Sequence, residues 1–148
     1  MSRQNIKLRL LERRFTVKVS SDKAWAHLER VEQWPSWARH IRQVELRPPG
    51  HLGLDSEGAI KLTNGIRSTF RMDALKEGTH WRWVGPFLWM TVHYDHQFKR
   101  IGPDQTEIGF VIDGEGFGVA VFGRLFAAIY ARNLDRAIPN LVTELEHA

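Results

Sequence analysis

The chain has 148 residues, of which 43% are apolar and 26% charged, with a formal net charge of +4 and no cysteine. That composition suits one domain around one core, and it excludes disulfide frameworks, thiolate metal sites and cysteine nucleophiles. No segment approaches the roughly 20 apolar residues of a membrane-spanning helix, and the first residues lack the apolar run of an export signal, so a cytoplasmic protein without membrane insertion is expected. Arg3, Lys7 and Arg9 fall in a basic lead-in over residues 1–12, ahead of a single domain over residues 13–148. Such a lead-in is ordinarily solvated, and no finger, helix-turn-helix or aromatic nucleic-acid-binding strand accompanies it, so no nucleic-acid partner is expected.

Phe15 to Val19 alternates apolar and polar residues and predicts a first strand. Ser20, Ser21 and Asp22 offer side-chain acceptors for the free amides that open a helix, which the stripe Ala24, Trp25 and Leu28 carries from Lys23 to about Arg30. A second helical turn spans Val31 to Ala38 and breaks or restarts at Pro35. Six more strands are predicted at Ile41 to Leu46, Ala59 to Thr63, Ile66 to Leu75, His80 to Val84, Trp89 to Phe98 and Thr106 to Ile112. Turn residues such as Asn64-Gly65, Glu77-Gly78 and Pro103-Asp104 separate them, and connections this short permit only antiparallel neighbours. A final helix from Phe117 to His147 repeats Phe122, Phe126, Ile129, Asn133, Ala137, Leu141 and Leu145 at helical spacing, with a kink expected near Asp135 from Pro139.

Register is testable, because a slip of one residue turns every apolar side chain to the wrong face. A two-residue turn at Glu77-Gly78 sets Ala74 opposite Trp81 and Met72 opposite Trp83, with Asp73 beside Arg82 outside. A three-residue loop with a left-handed Gly65 aligns Ile60 and Leu62 with Ile66, Ser68 and Phe70. A five-residue loop from Ile101 to Gln105 sets His96 beside Phe110 and Phe98 beside Ile108, with Lys99 and Glu107 paired outside. The shared inner face is covered by the last helix. The fold class is α+β, a seven-stranded curved antiparallel sheet wrapped around a long C-terminal helix, with two short helices between strands 1 and 2.

In this order of elements, Ser21-Asp22-Lys23-Ala24-Trp25-Ala26-His27-Leu28, Trp34-Pro35-Ser36-Trp37, Gly114-Glu115-Gly116-Phe117-Gly118 and Ile138-Pro139-Asn140-Leu141 make the chain resemble the START-like superfamily, in its polyketide cyclase/dehydrase and lipid-transport branch. The likeness covers roughly residues 13 to 147. It implies a helix-grip architecture with a deep cavity whose mouth lies near Trp34 to Trp37, the hairpin loops and the glycine-rich helix entry. A small hydrophobic molecule is the implied partner, no cofactor is implied, and the protein is expected as a monomer or homodimer.

Among the inward positions only Ser68, Tyr94, His96 and Thr106 are polar, and each can orient a ligand, because a buried polar group without a partner is costly. Tyr94 and His96 are also the catalytic candidates, His96 because imidazole exchanges protons near neutral pH, against the plainer reading that it bonds Tyr94 or a backbone carbonyl and serves packing. Apolar lining is expected from Phe70, Met72, Trp81, Trp83, Phe110, Phe122 and Phe126, and an aromatic wall from Trp34, Trp37 and Trp89. His93, Asp95 and His96 suggest metal ligation, but strand alternation divides them between two faces, so no metal site is expected. Arg67, Arg71 and Arg82 fall outside, which weakens a cyclase reading that needs arginine in the cavity. The leading expectation is binding or transport of a small aromatic or lipid-like ligand; the alternatives are a polyketide cyclase/dehydratase and a partner-regulating interaction domain.

Overall fold

The computed structural model describes residues 7–147. The elements run β1 (Leu8–Val17), α1 (Ser21–Leu28), a 3-10 turn (Val31–Ser36), β2 (Ile41–Arg47), β3 (Glu57–Leu62), β4 (Arg67–Lys76), β5 (His80–Phe87), β6 (Met90–Gly102), β7 (Gln105–Glu115) and α2 (Gly118–Glu146). All seven strands form one antiparallel sheet in the order β1-β7-β6-β5-β4-β3-β2. This is the helix-grip arrangement, with α2 packed along the inner face of a curved sheet.

Ser20 caps α1 as its side chain suggests, accepting from the Lys23 amide at 3.2 Å. The β3–β4 loop holds Gly65 at φ +92°, and Ile60 pairs with Ser68 as the three-residue loop requires. Elsewhere the strands outrun the sequence reading. β1 begins at Leu8 rather than Phe15, because Leu8 to Glu12 pair with β7, where Arg9 reaches Asp113 at 2.6 Å. Residues 8–12, expected as lead-in, are therefore strand; residues 1–6 lie outside the described residues.

Two hairpins reach their expected pairings by another route. Lys76 pairs with His80 across a three-residue loop, so Leu75, not Ala74, faces Trp81. An irregularity between Met72 and Ala74 then absorbs one residue and restores Met72 to Trp83, while Asp73 still meets Arg82 at 2.7 Å. Gly102 likewise pairs with Gln105 across two residues, and a bulge at Ile101 returns Phe98 to Ile108 and His96 to Phe110.

The two ends of the space between sheet and helix differ. At one end Trp25 packs on Trp81 and Phe98, Trp34 packs on Trp37, His96 lies between the two groups, and all are buried. The second half of α2 covers this end with Ala137, Leu141 and Leu145, each almost wholly buried. Polar ties hold it: Glu144 accepts from Ser36 and meets His27 Nε2 at 2.7 Å, Asn140 donates to the Trp37 carbonyl, and Glu146 accepts from the Lys18 amide. α2 runs as one helix past Pro139.

Candidate functional site

The first half of α2 covers the other end, and there the sheet and helix enclose a cavity of about 160 Å³. That is the scale of a cavity that admits a benzene ring, roughly 150 Å³. Its walls are chiefly apolar. Ile60, Leu62, Phe70 and Trp83 come from the sheet, Phe87 and Leu88 from the β5–β6 hairpin, and Phe122, Leu125, Phe126 and Ile129 from α2.

The polar groups in the wall are His40, Asn64, Ser68, Tyr94, Tyr130 and Asn133. Burial pushes the Tyr94 phenol well above the usual tyrosine range, the adjacent Tyr130 adds to this, and the nearby Ser68 hydroxyl opposes it. Burial likewise raises Tyr130 to about 12. Both phenols therefore stay protonated at neutral pH and act as neutral hydrogen-bonding groups. His40 is shifted downward by burial, which keeps its imidazole neutral. No carboxylate, ammonium or guanidinium lines this space among the described residues.

Tyr94 and Tyr130, 5.8 Å apart between ring centroids, also border a second space of about 30 Å³, lined further by Trp34, Trp37, His96 and Phe110. His96 faces that inner space rather than the main cavity. Its Nδ1 lies 3.2 Å from the Trp81 carbonyl, its ring stacks on Trp81 at 4.6 Å, and burial lowers it to about 4. Nδ1 bonded to a carbonyl must carry the proton, so His96 is a neutral core imidazole. Thr106 is equally committed, donating to the Val19 carbonyl at 2.8 Å.

The expected site thus divides. Ser68, Phe70, Trp83, Tyr94, Phe122 and Phe126 line the main cavity. Trp34, Trp37, His96 and Phe110 belong to the inner space, while Met72 and Trp81 are core. Trp34 and Trp37 are buried at the packed end, away from the mouth where the sequence placed them; Trp34 Nε1 is spent on the Leu28 carbonyl. Trp89 is not part of the wall: it stands in the β5–β6 turn, 65% exposed, stacked on Phe122. His93 and Asp95 are engaged outside by Glu115 and His80, and among the described residues no cluster of three or more ligating side chains is present.

Sequence reading missed Tyr130, His40 and the polar role of Asn133. Tyr130 follows Phe126 by four residues and shares its face, a signal that was available. His40 precedes β2 in a turn with no periodicity to place it.

The mouth lies between the β3–β4 loop, the β5–β6 turn and α2. Leu88 and Trp89 both have positive φ, +45° and +61°, in a two-residue turn that ordinarily takes Asn-Gly. Bulky residues there cost on the order of 1–3 kcal/mol each. The start of α2 is pressed against this turn, since a Cβ on Gly118 would lie 2.3 Å from the Leu88 carbonyl oxygen.

The sequence matches, over residues 10–146, the family described as polyketide cyclase / dehydrase and lipid transport. No curated protein is matched. Among solved structures, Zhui aromatase/cyclase from Streptomyces sp. R1128 is similar with a TM-score of 0.72 at 14% identity, over 95% of this chain and 94% of that one. A START superfamily protein from Mycobacterium smegmatis gives 0.67 at 14% identity, over 91% and 97%. Norcoclaurine synthase from Thalictrum flavum, in complex with dopamine and hydroxybenzaldehyde, gives 0.65 at 14% identity, over 95% and 88%. At such identities the likeness is one of fold.

Proposed function

The chain belongs to the polyketide cyclase / dehydrase and lipid transport family, and on that premise we propose that it binds or carries a small, neutral, largely hydrophobic molecule bearing one or two hydrogen-bonding oxygens. The observation that carries this reading is the cavity wall: apolar on most sides, without formal charge, and offering the Tyr94 and Tyr130 hydroxyls beside Ser68 and Asn133. A charged ligand would lose its hydration there without gaining an opposite charge. A neutral carbonyl or hydroxyl would gain phenolic partners, and a ring of benzene size fits the volume. The aromatic ligands named with norcoclaurine synthase agree in size with this reading.

The test is native mass spectrometry of freshly purified protein with extraction of any released molecule, followed by thermal shift with neutral phenols, aryl ketones and their carboxylate counterparts. Neutral compounds are expected to raise Tm and carboxylates to leave it unchanged. Equal stabilisation by both, or by neither across a broad panel, refutes the reading.

A cyclase or dehydratase reading has one specific observation in its favour: His40, a neutral imidazole, lines the same cavity as the two phenols. His40 thus replaces His96 as the acid/base candidate, because His96 does not line that cavity. Under this reading His40→Gln retains ligand affinity and lowers turnover about 100-fold.

A further inference from the structure

Among the described residues, seven of the ten large apolar side chains that the fold leaves exposed gather around the cavity mouth: Ile66, Leu88, Trp89, Phe117, Val121, Leu125 and Ile129. Four of them, Phe117 at the N-cap and Val121, Leu125 and Ile129 on α2, recur every fourth position and make one stripe that reaches the cavity mouth, each more than half exposed. Trp89 lies 6.4 Å from Phe117 between ring centroids, so the stripe and the β5–β6 turn form one patch. Neither the fold nor the cavity requires Trp89, Phe117 or Val121 to be apolar, since none of the three lines the cavity. The turn even holds Trp89 in a backbone conformation that favours glycine.

The unpaired charges on the α2 side of the patch have one sign. From Gly118 to Leu134 α2 contains Arg124 and Arg132 and no carboxylate. Both arginines are exposed and, among the described residues, form no ion pair. Arg67, next to the β3–β4 loop, is paired with Glu45 at 3.6 Å, so among the described residues the free cations of this face are the two arginines of α2. The nearest carboxylates in sequence are already engaged, Glu115 by His93 and Asp135 by Arg13.

We propose that this rim is a docking face for an anionic lipid surface, with Trp89, Phe117 and the α2 stripe seated at the headgroup boundary and Arg124 and Arg132 facing lipid phosphates. Among the described residues no helix is long and apolar enough to cross a membrane, and the proposed docking is of the surface kind. Interfacial tryptophan, an apolar helical stripe and flanking arginines are the combination that such a surface selects. Two copies meeting through the same face would bring the arginines together, a like-charge contact that opposes self-association. Docking sets the cavity mouth against the bilayer, so a hydrophobic ligand passes between the two without crossing water. This last step rests on the proposed ligand-binding function; the docking itself does not.

The experiment is sedimentation of the full chain with vesicles of phosphatidylcholine alone and of equal parts phosphatidylcholine and phosphatidylglycerol, at low and high salt. Binding is expected to the mixed vesicles, weakening with salt. Arg124→Gln with Arg132→Gln should weaken it roughly 30-fold. Trp89→Gly with Phe117→Ser should weaken it tenfold or more while Tm holds or rises, because glycine relieves the turn. The proposal is overturned if the mixed vesicles do not retain the protein, if the variants bind as well as the parent, or if light scattering shows these residues joining two copies instead. Thermal shift with neutral aromatics is read in parallel. Ligand binding without vesicle binding removes the docking face alone, and vesicle binding without any ligand removes the proposed function alone.

Discussion

The two ends of α2 perform different tasks on one sheet. The second half is anchored: Leu141 and Leu145 are fully buried, Glu144 and Asn140 bind α1 and the end of the 3-10 turn, and Glu146 binds the chain that follows β1. The first half has no side-chain cap at its start, shows apolar residues to solvent and spans a cavity. Tight packing and the cavity are therefore divided between the two halves of a single helix. A protein can leave one end poorly packed only where the other end is sealed well enough to hold the fold.

The largest test of this contrast is Leu141→Ala, which empties a fully buried site and should cost about 2–5 kcal/mol in urea unfolding. A cost below 1 kcal/mol would break the claim that this end holds the fold. Next in size is acid sensitivity. His96 is held at about 4 in the folded protein by burial, below the 6.5 of a free imidazole, so the unfolded chain binds more protons between those values. Stability is full above about pH 6.5 and falls toward pH 4, by up to roughly 3 kcal/mol from this group, and His40 adds to it in the same direction. Unfolding curves from pH 7.5 to 4.5 check the sign, and a flatter profile is expected in His96→Gln.

The open end should answer in affinity instead. Tyr130→Phe removes one phenolic donor from the cavity and should weaken an oxygen-bearing ligand about tenfold at nearly unchanged Tm, read by calorimetric titration. The smallest expected effect is Leu125→Ala, within about 0.5 kcal/mol of the parent because this side chain is 57% exposed. Hydrogen exchange sharpens the comparison further: amides of the first half of α2 should exchange sooner than those beyond Ala137, and bound ligand should narrow the gap.

Much of the fold was legible because strand alternation and helical spacing report which face a residue takes. Ser68, Tyr94 and Phe126 were placed on inward faces on that basis, while the cavity between those faces came from the family resemblance. Periodicity says nothing about which end of a face is packed solid. Trp34 and Trp37 were assigned to the mouth and lie in the core, since the aromatic residues that line a pocket are the same types that fill one. The bulges near Asp73 and Ile101 were invisible for a related reason: each cancels an unexpected loop length, so the pairings beyond it look regular. Trp89 was assigned to a strand by its propensity, which tertiary context overrode by placing it in a left-handed turn.

The position of β1 bears on kinetics. β2 through β7 pair with their sequence neighbours, whereas β1 joins β7, where Arg9 and Asp113 meet 104 positions apart. Closing a loop of that length has a large entropic cost before any contact repays it, while each hairpin closes over a few residues. The meander is expected to assemble first and β1 to dock late. Substitutions in the β1–β7 ladder, such as Phe15→Ala, should therefore accelerate unfolding far more than they slow folding, which places the lifetime of the native state under the control of its first strand.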